Sequence, residues 1–444
     1  MRETDILLLH ARWVLPVDPA GMVLDYHSVV IQGGRILDVL PSSVAIQRYP
    51  AVPSRSLDRH VLIPGLVNAH THAAMTLLRG LSDDLPLMTW LTEHIWPAEA
   101  RWVDPDFVRD GTALAAAEML SSGITCFNDM YFFPEEAAEA AVTVGIRASV
   151  GLIVLDFPTA WATNADHYLT RAVEVHMRLR HVPLIRTTLA PHAPYTVSDA
   201  PLAQVQTLSE RLDLPIHIHL HETATEVEQA VAAHGERPLA RLARLGLLSP
   251  HLLAVHMTQL TEDEIATCAK AKIHVVHCPE SNLKLASGFC PVENLQAAGI
   301  NVALGTDGAA SNNDLDLFSE MRTAALLAKA VSGNAAALPA HAALYLATLA
   351  GAKALGMADE IGSIVPGKAA DLVAVDLSGV ATEPVYHPAS ALVYAASRNA
   401  VTDVWVAGHQ VVRDRILVTV DTNEILNRAR QWGARISEKD QTPK

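Results

Sequence analysis

Residues 61–72 read VLIPGLVNAHTH, an apolar run that ends in two histidines one residue apart. Pro64 and Gly65 interrupt the run, so the pattern predicts a loop that leads into a short buried strand. Side chains two residues apart on a strand point to the same face. The end of this strand is therefore expected to aim His70 and His72 at one point, as paired metal ligands are. A histidine pair alone is a weak metal motif, because surface and core histidines also occur in pairs.

Three later segments end in the same way. They are PIHIHLHET at 215–223, with His217, His219 and His221 before Glu222, LLAVHMTQL at 252–260, which runs into His256, and INVALGTDGAASNN at 300–313, which runs into Asp307. The three histidines of the first segment are expected to share one strand face. In a (β/α)8 barrel the catalytic residues lie at the carboxyl ends of the strands. Four such endings in one chain favour a shared site.

The middle of the chain alternates short apolar runs with longer amphipathic, alanine-rich stretches, which is the pattern of a parallel sheet covered by helices. Eight strands are predicted, at residues 67–72, 123–132, 147–155, 185–195, 215–222, 252–259, 273–280 and 300–307. Helices such as 108–122 are predicted between them, and Gly123 is expected to end that helix. The count predicts an α/β fold with one closed (β/α)8 barrel of the TIM type.

Both ends of the chain differ from the middle. There, Val, Ile and Leu alternate with polar residues and turn signals such as Gly33-Gly34. Neither end is long enough to build a β core alone, so we expect both ends to combine into one small β-sandwich. The predicted domains are residues 1–64, the first part of the sandwich; 65–364, a metal-dependent barrel; and 365–444, the rest of the sandwich with a terminal helix.

Whole-chain properties favour an enzyme that acts on a small molecule. The 444 residues carry a net charge of −15, which argues against a nucleic-acid partner. No apolar run approaches the about 20 residues of a membrane span, and the first residues lack a signal-peptide pattern. The four cysteines show no CxxC spacing and are expected to be reduced. We therefore predict a cytoplasmic protein without nucleic-acid or membrane partners, and we expect a homo-oligomer.

Six stretches together resemble one known family. They are PGLVNAHTHAAMTLLRGLSDDLPLMTWL (64–91), APHAPYTVS (190–198), HIHLHET (217–223), AVHMTQL (254–260), HCPESNLKLASG (277–288) and LGTDGAASNNDLDLFSEMR (304–322). Together they resemble the amidohydrolase superfamily, and within it most closely the methylthioadenosine/S-adenosylhomocysteine deaminases. The resemblance covers nearly the whole chain. The resemblance implies one Zn²⁺ per chain with His70, His72, His219 and Asp307 as ligands. The position of a metal-bridging lysine in binuclear relatives falls near His192 here, which supports a single metal.

The residue types of that ligand set predict the chemistry. Three imidazoles and a carboxylate leave one coordination position for water, whose pKa zinc lowers toward 7. Asp307 is expected to accept a hydrogen bond from that water, and His256 to stabilise the tetrahedral intermediate. Glu222 lies three residues past His219 at a strand end. It is the expected general acid and base, which moves a proton from the water to a ring nitrogen of an adenine-like base. Asp307 then passes a proton to the departing ammonia.

Substrate contacts are implied by the resemblance at two further positions. His192 is expected to contact the purine or the ribose, and Glu99 to accept hydrogen bonds from the two ribose hydroxyls. Glu99 also fits as an acidic residue on a solvated helix, and Trp90 fits either as packing or as an apolar wall for the base. His217 is expected to be a core histidine, and His221 is not expected to be a ligand.

One departure from the family pattern bears on the substrate. Relatives that accept S-adenosylhomocysteine are expected to meet its carboxylate with arginines after the third barrel strand, yet residues 148–170 contain no Arg or Lys. A carboxylate without a partner in that apolar segment would be desolvated. We therefore predict 5′-methylthioadenosine as the preferred substrate, with S-adenosylhomocysteine and adenosine poorer. The alternatives are a guanine deaminase, an s-triazine hydrolase, and a barrel without catalysis.

Overall fold

The computed structural model describes residues 6–440, and their side chains as far as residue 437. The chain divides into two compact units. One contains the residues up to Asn68, Ala117–Cys126 and Asp316–Val420, and the other contains Ala69–Ala116, Phe127–Leu315 and the residues from Asp421 onward. The domain boundaries predicted after residues 64 and 364 remain predictions.

The strands are numbered in chain order. They are β1 Ile6–Val14, β2 Leu24–Gln32, β3 Arg35–Pro41, β4 Ser54–Pro64, β5 Leu66–Thr71, β6 Ile124–Asp129, β7 Arg147–Val154, β8 Ile185–Pro191, β9 Ile216–Leu220, β10 Leu252–His256, β11 His274–His277, β12 Asn301–Leu304, β13 Leu372–Asp376, β14 Val401–Val406, β15 His409–Arg413 and β16 Ile416–Leu417. They form two eight-stranded sheets.

One sheet contains β5 to β12 in sequential order. Neighbouring strands from β7 to β12 pair in parallel, and helices connect them. Just past β12 the backbone N–H of Asp307 donates to the carbonyl of His70 at 3.1 Å, which brings the last strand onto the first. Gly305 permits this approach, because a Cβ there would lie 2.8–2.9 Å from His70 atoms. The predicted (β/α)8 barrel is confirmed, and each predicted barrel strand overlaps an observed one.

One local expectation is wrong. The loop predicted at Pro64 and Gly65 is reduced to Gly65, because Pro64 is the last residue of β4. There Val61 lies opposite Val375, and Pro64 lies opposite Leu372, in antiparallel pairing with β13. The apolar run therefore belongs to two strands, with Gly65 between them.

The helices are likewise numbered in chain order. They are α1 Ser42–Arg48, α2 Leu87–Thr89, α3 Trp96–Trp102, α4 Pro105–Ser121, α5 Pro134–Val144, α6 Ala165–Leu179, α7 Asp199–Leu212, α8 Ala224–His234, α9 Pro238–Arg244, α10 Glu262–Ala271, α11 Pro279–Lys284, α12 Val292–Ala297, α13 Leu317–Ser332, α14 Ala340–Leu346, α15 Leu349–Ala354, α16 Pro388–Ser390 and α17 Thr422–Asp440. Short 3₁₀ turns lie at Ala73–Leu78 and Arg398–Ala400, and π-helical turns at Trp90–Ile95 and Ala391–Ala395.

Local sequence explains several helix ends. Thr261 accepts a hydrogen bond from the backbone N–H of Glu264, whose side chain bonds back to Thr261, so a capping box starts α10. Gly145 ends α5 in the left-handed conformation that glycine adopts without strain. Gly123, with φ of 87°, follows α4 as predicted. None of the helices in the described residues is long and apolar enough to span a bilayer.

The other sheet joins both ends of the chain in the order β16-β15-β14-β13-β4-β1-β2-β3. Strand β1 pairs antiparallel with β2 and parallel with β4, while β4 pairs antiparallel with β13. Leu9, Ile31 and Trp405 lie in its buried core. Gly33 and Gly34, both with positive φ, form the predicted hairpin turn. Both chain ends thus combine as predicted, and the strands of the expected β-sandwich form one continuous mixed sheet.

Candidate active site

Four side chains converge at the carboxyl end of the barrel. His70 ends β5 with His72 just after it, His219 lies on β9, and Asp307 follows β12; their ligand atoms all lie within 4.8 Å of one another. Asp307 Oδ1 is 3.2 Å from His70 Nε2 and 3.3 Å from His72 Nε2. The Nε2 atoms of His70 and His219 are 3.3 Å apart. Ligands of a tetrahedral zinc ion bonded at about 2.0–2.1 Å lie about 3.3–3.4 Å apart, and these three distances are close to that value.

The second nitrogen of each imidazole is also held in place. His72 Nδ1 lies 2.6 Å from the carbonyl of Met130, and His219 Nδ1 lies 2.7 Å from the carbonyl of His192. A carbonyl only accepts, so both rings donate through Nδ1 and keep a lone pair on Nε2. This second contact fixes the orientation of a metal-binding imidazole. The structure therefore presents the Nε2 atoms of both rings to one point.

His70 has a different support, which the sequence reasoning missed. Its Nδ1 lies 2.8 Å from His217 Nε2, and His217 Nδ1 lies 3.0 Å from Asn128 Nδ2. Asn128 in turn donates to the carbonyl of Ala69 at 3.0 Å. His217 was expected to be a core histidine, and it is buried, but it packs directly behind His70. The available signal was its position two residues before His219 on the same strand face.

Asp307 presents one oxygen to the histidines and keeps the other for hydroxyl groups. Oδ1 accepts from the backbone N–H of Gly308 at 2.8 Å. Oδ2 accepts from the hydroxyls of Ser281 at 2.6 Å and Ser311 at 2.9 Å. Burial by itself would raise the pKa of Asp307, but hydrogen bonds with the neighbouring histidines hold that pKa well below its usual range. These contacts thus favour the ionised form of the Asp307 carboxyl.

Strained backbone accompanies several of these strand ends. His221, His256, Met257 and Asp307 all have φ between 49° and 74°, a left-handed region that residues other than glycine rarely adopt. Each such residue costs about 1–3 kcal/mol, and such strain concentrates at functional sites. The backbone conformation at these strand ends is therefore one that strand pairing alone would not favour.

His221 shows the effect of this conformation. Its Nδ1 lies 3.0 Å from the carbonyl of Gln259, and its Nε2 accepts from the backbone N–H of Leu239 at 3.0 Å. The expectation that His217, His219 and His221 share one face is wrong for His221, because the backbone leaves the strand conformation at that residue. Its side chain contacts the surrounding chain and does not line the cavity described below.

Glu222 and His256 lie next to the ligand cluster. Glu222 Oε2 is 3.9 Å from His256 Nε2, and both residues are buried. The carboxylate of Glu226 accepts from the backbone N–H groups of His221 at 3.1 Å and Glu222 at 2.6 Å, which fixes the turn after β9. Burial raises the pKa of the Glu222 carboxyl above its ordinary value. A group that takes up and then releases a proton near neutral pH needs such a shift.

A cavity of about 380 Å³ opens above these groups. Its polar end contains His72, His192, His219, Glu222, His256 and Asp307, while its wall is mostly apolar. Of the residues predicted to form the site, His70 alone does not line the cavity; it is completely buried. The size and the apolar lining are typical of a small-molecule site with a few polar anchors.

Glu99 and Trp90 both reach this cavity from the segment between β5 and α4. Trp90 begins a π-helical turn, and its indole N–H donates to the carbonyl of Ser82 at 3.1 Å. Glu99 lies on α3, and burial raises its pKa to about 7, against the lowering effects of Tyr131 and His72. Glu99 therefore lines the cavity and is not on a solvated helix face.

His192 follows β8 and lies beside His219, with ring centroids 4.9 Å apart. Its Nδ1 is 3.0 Å from the Thr196 hydroxyl. Burial and the neighbouring histidines lower the pKa of His192 to about 3. A neutral imidazole at the cavity wall can donate or accept a hydrogen bond without carrying a charge.

Comparison with known proteins gives the family. The model of the amidohydrolase family matches residues 61–411, which include all the cavity and cluster residues described above. A protein of Teredinibacter turnerae is 49% identical over 97% of this chain and 98% of its own length, and one of Saccharophagus degradans is 50% identical over 97% and 96%. Both are named 5-methylthioadenosine/S-adenosylhomocysteine deaminase.

A solved structure agrees with these relatives. A crystal structure of an adenosine deaminase from Xanthomonas campestris with bound zinc is 55% identical, with a TM-score of 0.97 over 99% of this chain and 100% of that one. The chain belongs to the amidohydrolase family and, within it, to the family of methylthioadenosine/S-adenosylhomocysteine deaminases.

Proposed function

We propose that this protein is a zinc-dependent hydrolase that deaminates adenine nucleosides, with 5′-methylthioadenosine as its preferred substrate. The observation that carries the proposal is the convergence of three imidazoles and one carboxylate beside Glu222 and His256 in one cavity. Relatives at 49% and 50% identity are named for this reaction. The products are 5′-methylthioinosine and ammonia.

His70, His72, His219 and Asp307 would hold one zinc ion per chain. Three of the distances between their ligand atoms match those of a tetrahedral site. The family resemblance implies that the position of the lysine that bridges two metals in binuclear relatives falls near His192 here. When bound, zinc lowers the pKa of a coordinated water toward 7 and so supplies the nucleophile at neutral pH.

Different side chains around the attacking water carry out the separate proton transfers. Glu222 takes a proton from the attacking water and delivers it to a ring nitrogen of the base, which prepares the amino-bearing carbon for attack. His256, 3.9 Å from Glu222, holds the water and the tetrahedral intermediate by hydrogen bonding. The new C–O bond forms, Asp307 accepts the remaining proton of the attacking water, and it passes this proton to the amino group as the C–N bond breaks, so that ammonia leaves.

The nucleoside is positioned by groups on the cavity wall. Glu99 accepts hydrogen bonds from the two ribose hydroxyls, His192 contacts the purine or the ribose, and Trp90 forms part of the apolar wall against the base. All three line the cavity beside the proposed ligands. A charged acceptor is well suited to a diol, because hydrogen bonds to charged groups are stronger than neutral ones.

The cavity wall favours a thioether over an amino acid tail. Among the described residues, no Arg or Lys side chain lines the cavity. The first arginine after residues 148–170 is Arg171, which donates to Glu135 at 2.8 Å and to the carbonyl of Trp161 at 2.5 Å. The amino acid carboxylate of S-adenosylhomocysteine would therefore be desolvated without a partner. The methylthio group of 5′-methylthioadenosine gains from burial against Leu155 and Phe157.

A substrate panel tests the proposal. Metal-loaded protein is assayed for ammonia release with 5′-methylthioadenosine, S-adenosylhomocysteine, adenosine, guanine and an s-triazine, and the shift in ultraviolet absorbance confirms conversion to the inosine. We expect the highest kcat/KM with 5′-methylthioadenosine. Turnover of guanine or a triazine without turnover of nucleosides would contradict the proposal and favour one of the alternative functions. A kcat/KM for S-adenosylhomocysteine equal to that for 5′-methylthioadenosine would contradict the proposed substrate preference.

Cellular location and assembly stay predictions of the sequence. The protein is expected in the cytoplasm and as a homo-oligomer. Light scattering on purified full-length protein measures the assembly, and a monomeric mass would contradict the second expectation.

A further inference from the structure

A short helix after β11 contacts His256. In α11, Asn282 places its side-chain Oδ1 2.8 Å from His256 Nδ1. Both side chains are nearly inaccessible, with 2% and 1% of their surfaces exposed. The other ring nitrogen, Nε2, faces Glu222 at 3.9 Å. One nitrogen of His256 is thus held by Asn282 while the other is directed into the site.

The contact selects one form of the neutral imidazole. An amide oxygen only accepts hydrogen bonds, so His256 must donate through Nδ1. The neutral ring then keeps a lone pair on Nε2, which can accept a hydrogen bond from a water in the site. The opposite tautomer would lose the contact with Asn282 and would present a donor to the site.

The local backbone gives His256 a need for such support. His256 and Met257 have φ of 74° and 49°, so two successive residues leave the strand conformation at the end of β10. Asn282 itself is well anchored, because its backbone N–H donates to Cys278 at 3.0 Å and its carbonyl accepts from Ser287 at 2.9 Å. A fixed side chain thus orients a ring whose own backbone is strained.

The amide nitrogen of Asn282 gives a second, independent sign. This buried Nδ2 has no hydrogen-bond partner among the described residues. Buried unsatisfied donors are rare and call for an explanation. An asparagine retained here despite an unsatisfied N–H group is explained if the site requires its oxygen.

We propose that Asn282 is a positioning residue for deamination, which holds His256 in the tautomer whose Nε2 accepts a hydrogen bond from the attacking water. The inference rests on the proposed function. Asn282 is not among the cavity-lining residues or the proposed ligands, and its effect on the reaction passes through His256.

Two substitutions distinguish the contribution of the Asn282 side-chain oxygen from that of the rest of the amide group. Asn282→Ala removes the acceptor, and kcat with 5′-methylthioadenosine is expected to fall about 10- to 100-fold, the range for residues that orient site histidines. Because ground-state contacts are unchanged, KM should stay within about threefold. Asn282→Asp keeps an acceptor in the same place and should restore most of the lost kcat. If Asn282→Asp were as impaired as Asn282→Ala, the amide N–H would be the required group and the proposal would be overturned.

Asn301 offers a matched control. Its Nδ2 lies 2.9 Å from His274 Nδ1, so this Asn–His pair is bonded through the amide N–H and not through the amide oxygen; it lies at the amino ends of β11 and β12, opposite to the site. Asn301→Ala should leave kcat within about twofold of wild type. A loss equal to that of Asn282→Ala would show that any such pair supports activity through stability alone, and it would overturn the positioning role.

Two further measurements detect a role that stability alone would not produce. Asn282→Ala should weaken binding of a nucleoside analogue with a tetrahedral, hydroxyl-bearing carbon at the reacting position, while binding of 5′-methylthioinosine stays unchanged. Equal weakening of both would overturn the proposal. A crystal structure of Asn282→Ala should show the His256 ring rotated from its wild-type position. The crystal structure does not depend on catalytic activity, so a His256 ring in its wild-type position would overturn the inference. Failure of the wild type in the substrate panel would by itself reject only the proposed function.

Discussion

The ligand cluster and the apolar wall of the cavity are built in different ways. At the cluster, His70 is fully buried, His219 and Asp307 are 5% exposed, and each is held by hydrogen bonds with neighbouring groups. At the wall, Phe157 is 38% exposed and the lining is mostly apolar. The cluster therefore specifies the reaction through fixed directions, while the wall selects substrates through shape and the absence of charge. Changes in the cluster should affect all substrates alike, and changes in the wall should affect some more than others.

Removal of the metal should have the largest effect, because the whole cluster depends on it. A chelator is expected to abolish turnover of every substrate, and one equivalent of Zn²⁺ per chain should restore it. The melting temperature should fall in parallel, since an ion that binds only the folded state stabilises it. Metal analysis is expected to find one ion per chain, and two would contradict the ligand set.

Glu222→Gln tests the proton transfer beside the cluster. The amide keeps the shape of the carboxyl but cannot carry a proton, so kcat should fall about 10²- to 10⁴-fold on every nucleoside, with the metal content unchanged. Glu228→Gln, at an exposed position on α8, is the matched control and should keep activity within about twofold. Activity of Glu222→Gln within about tenfold of wild type would be incompatible with the assigned role.

Glu99→Ala tests the proposed hydrogen bonds between the Glu99 carboxylate and the ribose hydroxyls. A hydrogen bond to a charged group contributes about 1.5–3 kcal/mol, so kcat/KM should fall roughly 10- to 100-fold. The loss should be equal for 5′-methylthioadenosine and adenosine, because both present the same ribose diol. Glu93→Ala, an exposed neighbour in the preceding turn, should have no effect. Unequal losses for the two nucleosides would place Glu99 against another part of the substrate.

Phe157→Arg should have the smallest effect and the most selective one. An arginine at this partly exposed wall position can pair with the carboxylate of S-adenosylhomocysteine. The ratio of kcat/KM for S-adenosylhomocysteine over 5′-methylthioadenosine is expected to rise about 1.5- to 5-fold, the range of a solvated ion pair. Phe157→Leu keeps the wall apolar and should leave the ratio unchanged. An unchanged ratio in Phe157→Arg would remove this segment from the specificity argument.

The sequence predicts the fold and the cluster because their signals are local. Alternating apolar strands end in His70, His219 and Asp307, and the carboxyl ends of parallel strands in a barrel converge whatever the loops do. The support of these residues depends on contacts between strands far apart in the chain. Strand alternation puts His217 on the same face as His219, but only the assembled barrel brings His217 behind His70. No local pattern predicts that Asn282 faces His256. The left-handed backbone at His221, which turns that side chain away, also has no signal in a β-branched run.

The pairing of β4 with β13 has a consequence for synthesis of the chain. Pro64 lies opposite Leu372, so about 300 residues must be made after β4 before its partner exists. At translation rates of about 5–20 residues per second the wait is about 15–60 s. During that time one edge of β4 presents open backbone donors and acceptors, which invite pairing with other chains. A chain that ends before residue 372 lacks the partner of this edge, so we expect it to aggregate more readily than the full chain.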